Sequence, residues 1–583
     1  MGNFFTDNDD ILFLFEHFDM ARLAEIMEEG FRYAEEYDCA PSDADDAVDN
    51  YRRILTMLGE LAAERIAPTA EETDRVGNTL EADGSVQRAP GIAEAIKLLG
   101  QADLMGFTLP YRYGGLNGPN LLYTMSNDII SRADASLMNI YGLQGIAETI
   151  NAFASEEIKA EYLPDMAAGR TTGAMVLTEP DAGSDLQAVK TAARVYQDAE
   201  GRWRVRGVKR FITNGCGEIL LVLARSEPEI SDGRGLSLFL VERGPEVKVR
   251  RLEDKLGIHG SPTCEIFFDD APARLIGERQ RGLVTYVMSL MNGARIGIAA
   301  QSLGIAESAY RTARQFAAAR RQFGTAVENF PAMRELIADL QVDLQAARAL
   351  TYYSSFCVDI EYGALRKLEF GEVTDKAEAK ALKQTSRKYK RLNGMLTPMS
   401  KYYASEMSMR VANGSVAVLG GSGYMKDYPV ERHLRDSRIT TIYEGTTQLQ
   451  VLAAVRGVSS GGAAALIEEL LSADRPEDLQ PLADQLAAGA ELLAEAVAYV
   501  KEQPGNEYLD FVARKLVDMA ISLIVGALFL DQARTSEVKK SVAARWAATK
   551  LPLVRMYHEI ILSGERSPMD EFDLLAGPLP VAD

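Results

Sequence analysis

Trp203-Arg204-Val205-Arg206-Gly207-Val208, Ile219-Leu220-Leu221-Val222-Leu223 and Leu236-Ser237-Leu238-Phe239-Leu240-Val241 are short, apolar, strand-like runs. Asn214-Gly215, a strong hairpin signal, and Asp232-Gly233 punctuate them as turns. No helical stretch separates them, as a doubly wound parallel sheet would require. Residues 169–280 therefore read as a small antiparallel β domain.

Outward from this domain the texture is helical on both sides. Over residues 1–168, apolar positions recur at three and four, as in Ile54, Leu58 and Leu61, with a loop at Pro110 and over Gly114-Gly115-Leu116-Asn117-Gly118-Pro119. Residues 281–456 carry long helical segments that suggest a four-helix-type bundle, with Glu361 to Leu392 as a polar helical extension. Gly457-Val458-Ser459-Ser460-Gly461-Gly462 looks like a flexible linker, and residues 457–583 form an additional helical domain. The expected architecture is multidomain α+β: N-terminal helices, a middle antiparallel β domain, a C-terminal bundle and an extra helical block.

The composition narrows the function. A chain of 583 residues is too long for one core, and its 47% hydrophobic and 25% charged residues are those of a globular protein. A formal net charge of −21 argues against nucleic-acid binding, which needs a basic surface. Cys39, Cys216, Cys264 and Cys357 are scattered, and the four histidines form no ligand pair, so neither a disulfide framework nor a metal site is expected. The acidic N-terminal run Asp7-Asn8-Asp9-Asp10 is unlike a signal peptide, and no uncharged run reaches the ~18 residues of a membrane span. Met519 to Leu530 is apolar but shorter, as in a buried helix. These features predict a cytoplasmic protein.

Four motifs carry chemical potential. Leu177-Thr178-Glu179-Pro180-Asp181-Ala182-Gly183-Ser184-Asp185 offers hydroxyls beside a glycine that lets a ligand approach the backbone, although a plain turn has the same residues. In Phe211-Ile212-Thr213, an aromatic and a hydroxyl two apart on a strand share one face, which suits a flat ring as well as a core. Arg320-Arg321-Gln322-Phe323-Gly324 offers cations for a pyrophosphate and a ring for an adenine, but basic helix ends are common. The fourth motif combines Gly420-Gly421-Ser422-Gly423-Tyr424, Tyr428-Pro429-Val430-Glu431-Arg432 and Ile442-Tyr443-Glu444-Gly445-Thr446-Thr447-Gln448. Its glycines follow a helical segment and so fail the context test for a Rossmann loop. Glu444, between an aromatic and a glycine, is a candidate base if its setting is apolar, and a surface glutamate otherwise.

In order and spacing, these four motifs resemble the acyl-CoA dehydrogenase family over about Ile54 to Arg456. The resemblance implies a bound FAD and oxidation of an acyl-CoA thioester to a trans-2-enoyl-CoA. Glu444 would take the α-proton and flavin N5 the β-hydride. A backbone N–H of the base and a flavin ribityl hydroxyl would polarise the thioester carbonyl, and electrons would pass to electron-transfer flavoprotein. By position, Thr178 and Thr213 match flavin-ring partners, Met175 and Leu177 its pocket, and Phe211 the ring that packs on its face. Ser184 would lie near the pyrophosphate or the CoA chain. Arg320, Phe323, Gly420 and Gly421 would reach the FAD of a neighbouring subunit, which implies a homodimer or a dimer of dimers. Thr446 and Gln448 match contacts to the adenosine-side phosphates, Tyr443 and Gly445 line the thioester site, and Arg295 orients it.

Some positions depart from the family pattern or narrow it. Ala294 stands where some members carry the base on an earlier helix, which favours Glu444. Ala417 replaces the usual Gln or Glu before the glycine pair, removing one contact to the neighbouring FAD. Met138 stands where the glutaryl-CoA branch has arginine, which disfavours a dicarboxylyl substrate. The long C-terminal continuation is similar to the larger bacterial branch that includes 3-methylmercaptopropionyl-CoA dehydrogenases, and more distantly to the very-long-chain enzymes. Without a basic amphipathic stripe, that block is expected to pack on the bundle rather than on a membrane. An acyl-CoA oxidase, a non-redox FAD-binding relative and a structural helical scaffold are the alternatives.

Overall fold

The computed structural model describes residues 2–195, 202–370, 373 and 375–579. Packing divides the chain into two units, residues 1–390 with 400–446, and residues 391–399 with 447–583.

The first unit begins with Asp9–His17 (α1) and Ala44–Leu61 (α2). Asp43 caps α2 by accepting the Asp46 N–H at 3.0 Å, and Asp45 and Asp46 in the first turn complement the helix dipole. Asn120–Ala133 (α3) is followed at once by Ala135–Tyr141 (α4), because Asp134 ends one helix and caps the next through the N–H groups of Ser136 and Leu137. Gly145–Phe153 (α5) completes the helical face that packs on the β domain.

Seven strands build that domain: Gly173–Val176 (β1), Ala192–Val195 (β2), Trp203–Thr213 (β3), Ile219–Arg225 (β4), Leu236–Glu242 (β5), Val247–Leu252 (β6) and Thr263–Ile276 (β7). The path β4-β2-β3-β7-β5 returns to β4, so the sheet closes on itself, with β1 added to β4 and β6 to β7. Most pairings are antiparallel, as expected. β4 is the exception and runs parallel to β1 and, at Arg225, to β2. Val205, Leu220, Val222, Phe239, Ile266 and Phe268 fill the interior. The Asp232-Gly233 turn joins the paired strands β4 and β5. Asn214-Gly215 does not make the expected hairpin, since β3 pairs with β2 and β7 rather than with β4. Asn214 is instead buried at φ +52°, and its amide bonds Thr172 and the Gly173 carbonyl.

The bundle comprises Met288–Ala319 (α6), Pro331–Phe370 (α7), Lys376–Leu419 (α8) and Val430–Thr440 (α9). Of the polar stretch Glu361 to Leu392, the described parts form the end of α7 and the start of α8, and residues 371, 372 and 374 lie outside the described residues. At Gly304 the backbones of α3 and α6 nearly touch: a methyl group there would lie 2.3 Å from the Asp128 carbonyl oxygen. Residues Gly282–Ala319 are long and apolar enough to cross a bilayer. Within the bundle, however, α6 packs on α3 and carries Glu307 into a buried ion cluster.

That cluster is centred on Arg348 of α7, which has no exposed surface. Its guanidinium donates to Asp10 at 2.8 Å, Asp128 at 2.9 Å and Glu307 at 2.8 Å, while the Tyr352 hydroxyl donates to Asp128 at 2.9 Å. Four helices, α1, α3, α6 and α7, thus meet on one cation. Asp7, paired with Arg132 through both oxygens, ties down the residues before α1.

The second unit holds Thr447–Ser459 (α10), Gly462–Leu471 (α11), Gln480–Glu502 (α12), Glu507–Gln532 (α13) and Glu537–Leu562 (α14), together with residues 391–399 of α8. Met519 to Leu530 is the buried core of α13. Trp546 stacks edge-on against Phe529 and donates its indole N–H to the Ser522 carbonyl at 2.8 Å. The expected linker is corrected here. Gly457, Val458 and Ser459 are helical and Gly462 opens α11, so the break is only Ser460-Gly461. Gly457 is glycine because a Cβ there would lie 2.6 Å from that of Met395, a packing demand rather than a need for flexibility.

Removing one partner of a buried ion cluster leaves uncompensated charge. Arg348→Met is expected to destabilise the first unit by about 3–5 kcal/mol. Denaturant unfolding followed by circular dichroism reads this directly, and a loss below about 1 kcal/mol would mean that the carboxylates re-pair or take up protons without Arg348.

Candidate functional site

The predicted site residues fall into three groups. The first lies where β1 leads into the Leu177–Asp185 turn. Lys209 of β3 is fully buried and donates to the Leu177 carbonyl at 2.8 Å while pairing with Glu179 at 2.9 Å. The Glu179 carboxylate also accepts the backbone N–H groups of Lys190 at 2.8 Å and Thr191 at 2.9 Å. Burial pushes Lys209 down to about 8 against the pull of Glu179. Burial acts to raise Glu179 as well, but Lys209 and these hydrogen bonds bring it below its ordinary range.

This clamp sets Thr178 beside β3, where its carbonyl accepts the Arg210 N–H at 3.0 Å. A bulge follows between Lys209 and Ile212, and Phe211 takes φ +61°. Bulges of this kind re-aim a side chain. Here Ile212 turns into the core, while Phe211 stays 52% exposed under the Arg210 guanidinium, 4.6 Å from its ring centroid. Thr213 is half-buried. Among the described residues, neither the Thr178 nor the Thr213 hydroxyl is held by a hydrogen bond. Met175 is half-buried, Leu177 is buried, and Ser184 is exposed beside Gly183, around which a Cβ would meet open space. An exposed ring, two free hydroxyls and an open glycine turn fit a flat polar heterocycle with an anionic tail.

The second group surrounds Glu444, just beyond α9. Glu444 has φ +53° and Gly445 φ +90°, a turn that swings the carboxylate inward. The Tyr443 hydroxyl meets Asn139 Oδ1 of α4 at 3.0 Å and, more closely, Gln301 Oε1 of α6. Gln301 Nε2 in turn donates to the Ala135 carbonyl at 2.8 Å and to Asn139 Oδ1 at 2.9 Å. Lys401 of α8 donates to the Gly445 carbonyl at 2.7 Å. Arg295 of α6 bonds Asn292 at 3.1 Å and acts on Glu444 as a nearby positive charge.

Glu444 lies deep in the protein yet keeps part of its surface open. Burial raises its carboxyl to about 7, with Lys401 and Arg295 opposing. Burial also lowers Lys401 to about 7, while Glu444 pulls the other way and Arg295 lowers it further. The result is a carboxylate that takes a proton near neutral pH, the property of a general base.

The third group stands at the far end of α6 and α8, on the cluster formed by Ala313, Ala317, Val418, Leu419 and Val430. Arg320, Gly420 and Gly421 are exposed there, and Phe323 is 95% exposed. At about 1.5 Å per residue, Arg295 and Arg320 are separated by roughly 37 Å along α6. The structure therefore does not bring this group to Glu444 within one chain. Thr446 is half-buried beside the Glu444 turn, and Gln448 is exposed at the start of α10, in the second unit.

Sequence reasoning missed Lys401, Asn139 and Gln301. The only signal was a polar residue within an apolar helical stretch, such as Met399-Ser400-Lys401-Tyr402-Tyr403, and that pattern alone suggests a solvated face.

Four family models match successive parts of the chain. The acyl-CoA dehydrogenase N-terminal domain matches residues 49–170, the middle domain 174–271, and the C-terminal domain 281–357 and 372–459. A further acyl-CoA dehydrogenase C-terminal family matches 459–547. A short-chain-specific acyl-CoA dehydrogenase of Clostridium acetobutylicum is 33% identical over 68% of this chain and 95% of its own length. The butyryl-CoA dehydrogenase of Megasphaera elsdenii superposes with a TM-score of 0.58 at 30% identity, over 70% of this chain and 97% of that one. An acyl-CoA dehydrogenase of Bacillus anthracis, solved with FAD, reaches 0.75 over 92% of each chain at 23% identity, a likeness of fold. The chain belongs to the acyl-CoA dehydrogenase family, whose members are FAD-dependent oxidoreductases.

Lys209→Met leaves Glu179 buried without its cation and frees the Leu177 carbonyl. A loss of about 3–5 kcal/mol is expected, together with a lower flavin-to-protein absorbance ratio. Unchanged flavin retention in the folded variant would separate the clamp from the cofactor site.

Proposed function

We propose that the chain is an acyl-CoA dehydrogenase that converts an acyl-CoA thioester to a trans-2-enoyl-CoA, with Glu444 as the base. The observation that carries this reading is the left-handed Glu444-Gly445 turn, which leaves a half-buried carboxylate near the positive charges of Lys401 and Arg295, with burial raising its affinity for protons. Thr178, Thr213, Met175, Leu177 and Phe211 would hold the flavin ring, Ser184 would lie near the pyrophosphate or the CoA chain, and Thr446 would meet the adenosine-side phosphates. When bound, FAD would supply the acceptor for the β-hydride, with electron-transfer flavoprotein as the expected electron acceptor.

The chain's own residues do the rest. An α C–H beside a thioester is a weak acid, so charge must be stabilised on the carbonyl as the proton leaves. The backbone N–H of Glu444 serves there, and its carboxylate takes the proton at an oxygen. Arg295 and Lys401 keep a share of Glu444 ionised despite its burial. Tyr443, tied to Asn139 and Gln301, walls the thioester site and limits water.

The separation of the third group supports sharing between subunits. Arg320, Phe323, Gly420 and Gly421 stand too far from the Glu444 end of α6 to serve the same cofactor, so they reach that of a neighbour in a homodimer or a dimer of dimers.

Anaerobic titration with a panel of acyl-CoAs tests the reaction: bleaching of the flavin band by one thioester is the expected result. Glu444→Gln is expected to keep FAD and lose about 10²–10⁴-fold in bleaching rate; a near wild-type rate would remove Glu444 from the role. Because the base works ionised, the wild-type rate is expected to rise with pH through about 7. Phe323→Ala is expected to lower FAD retention without affecting the fold. Full retention would place the neighbour's contact elsewhere.

A further inference from the structure

Lys401 is buried without any exposed surface, on a helix that approaches the Glu444 turn from the bundle side. An ammonium in such a place is costly unless it is partnered. Its Nζ donates at 2.7 Å to the carbonyl of Gly445, the residue immediately after the base. Glu444 and Gly445 both have positive φ, a conformation that is strained for a residue with a side chain and persists only where the surroundings impose it. Among the described residues, charged or titratable groups that act on Glu444 include Lys401 from α8, Arg295 from α6 and Tyr443 from its own turn, and Glu406 acts on Lys401 from the next turn of α8. Arg295 is no substitute for the clamp: its guanidinium bonds Asn292, and its Nε is buried without a hydrogen-bond partner.

We propose that Lys401 is the positioning residue of this site, holding the left-handed Glu444-Gly445 turn by its carbonyl and supplying the charge that keeps the Glu444 carboxylate ionised. It touches neither substrate nor flavin in this role, and it acts through the base. The inference rests on Glu444 being that base. The two ideas nevertheless fail separately, because the ionisation of Glu444 can be measured without turnover.

The test is infrared titration of the Glu444 carboxyl in FAD-loaded protein with labelled glutamate, using Glu444→Gln as the subtraction reference. In the wild type the midpoint is expected near pH 7. In Lys401→Met it is expected to move to higher pH by on the order of one pH unit, a tenfold change in the protonation equilibrium. The acid limb of flavin reduction should move with it. Lys401→Gln keeps a donor for the Gly445 carbonyl but no charge. It should show the same midpoint shift with a smaller loss of rate at high pH, and it stands in if Lys401→Met does not fold. A folded, FAD-loaded variant with an unmoved midpoint and acid limb would overturn the proposal. If no acyl-CoA bleaches the wild type, the dehydrogenase reading falls, and the carboxyl titration still decides the role of Lys401.

Discussion

The first unit depends on a single guanidinium. Arg348 joins Asp10, Asp128 and Glu307 inside the bundle, and those carboxylates belong to three different helices. A charge of this kind accepts few arrangements, since any slip of one helix strands a carboxylate without its partner. The crossing of α3 and α6, already narrowed by Gly304, is thereby fixed in register. The same α6 carries Gln301 to Tyr443 and Arg295 to the base. The geometry of the site is thus inherited from an ion cluster that takes no part in the chemistry.

A second buried cation plays the same part in the β domain. Lys209 ties the Leu177 carbonyl and Glu179 to β3, so the Thr178 segment and the bulged strand keep a fixed spacing. Phe211 is left facing outward because the bulge turns Ile212 in. The ring is exposed by the backbone, and its exposure is what the flat-ligand reading needs.

Much of this was legible in the sequence, and the reasons differ by element. The helix–β–helix order follows from periodicity, which is a local property. The Tyr443-Glu444-Gly445 turn was legible as a motif, and its structure adds the left-handed backbone and the buried setting that the residue letters leave open. Asn214-Gly215 and the stretch from Gly457 to Gly462 misled for one reason: glycine signals freedom at a turn and closeness at a packing contact with the same letter. Gly457 against Met395 is the second case. Lys401 was illegible because a lysine in a helix is ordinarily solvated. Only the tertiary fold shows that its side chain is enclosed with a carbonyl and a carboxylate before it.

The places where local preference is violated gather around one carboxylate. Glu444 has a backbone conformation that costs on the order of 1–3 kcal/mol. Lys401 is an enclosed ammonium and Arg295 a largely enclosed guanidinium, both of which the interior disfavours. None of these conflicts helps the fold, and a hydrophobic residue at 401 would pack the same helix without desolvating a charge. Conflict of this kind concentrates at functional sites, because the surrounding structure can bear it and selection for stability alone would remove it. Two opposed requirements then account for the arrangement. A base for a weak carbon acid needs a carboxyl of raised affinity for protons, which burial provides. It must also remain ionised part of the time at neutral pH, which burial alone would prevent. Two basic side chains near the carboxylate, Lys401 bonded to its own turn and Arg295 acting as a nearby charge, oppose the effect of burial and so meet both requirements.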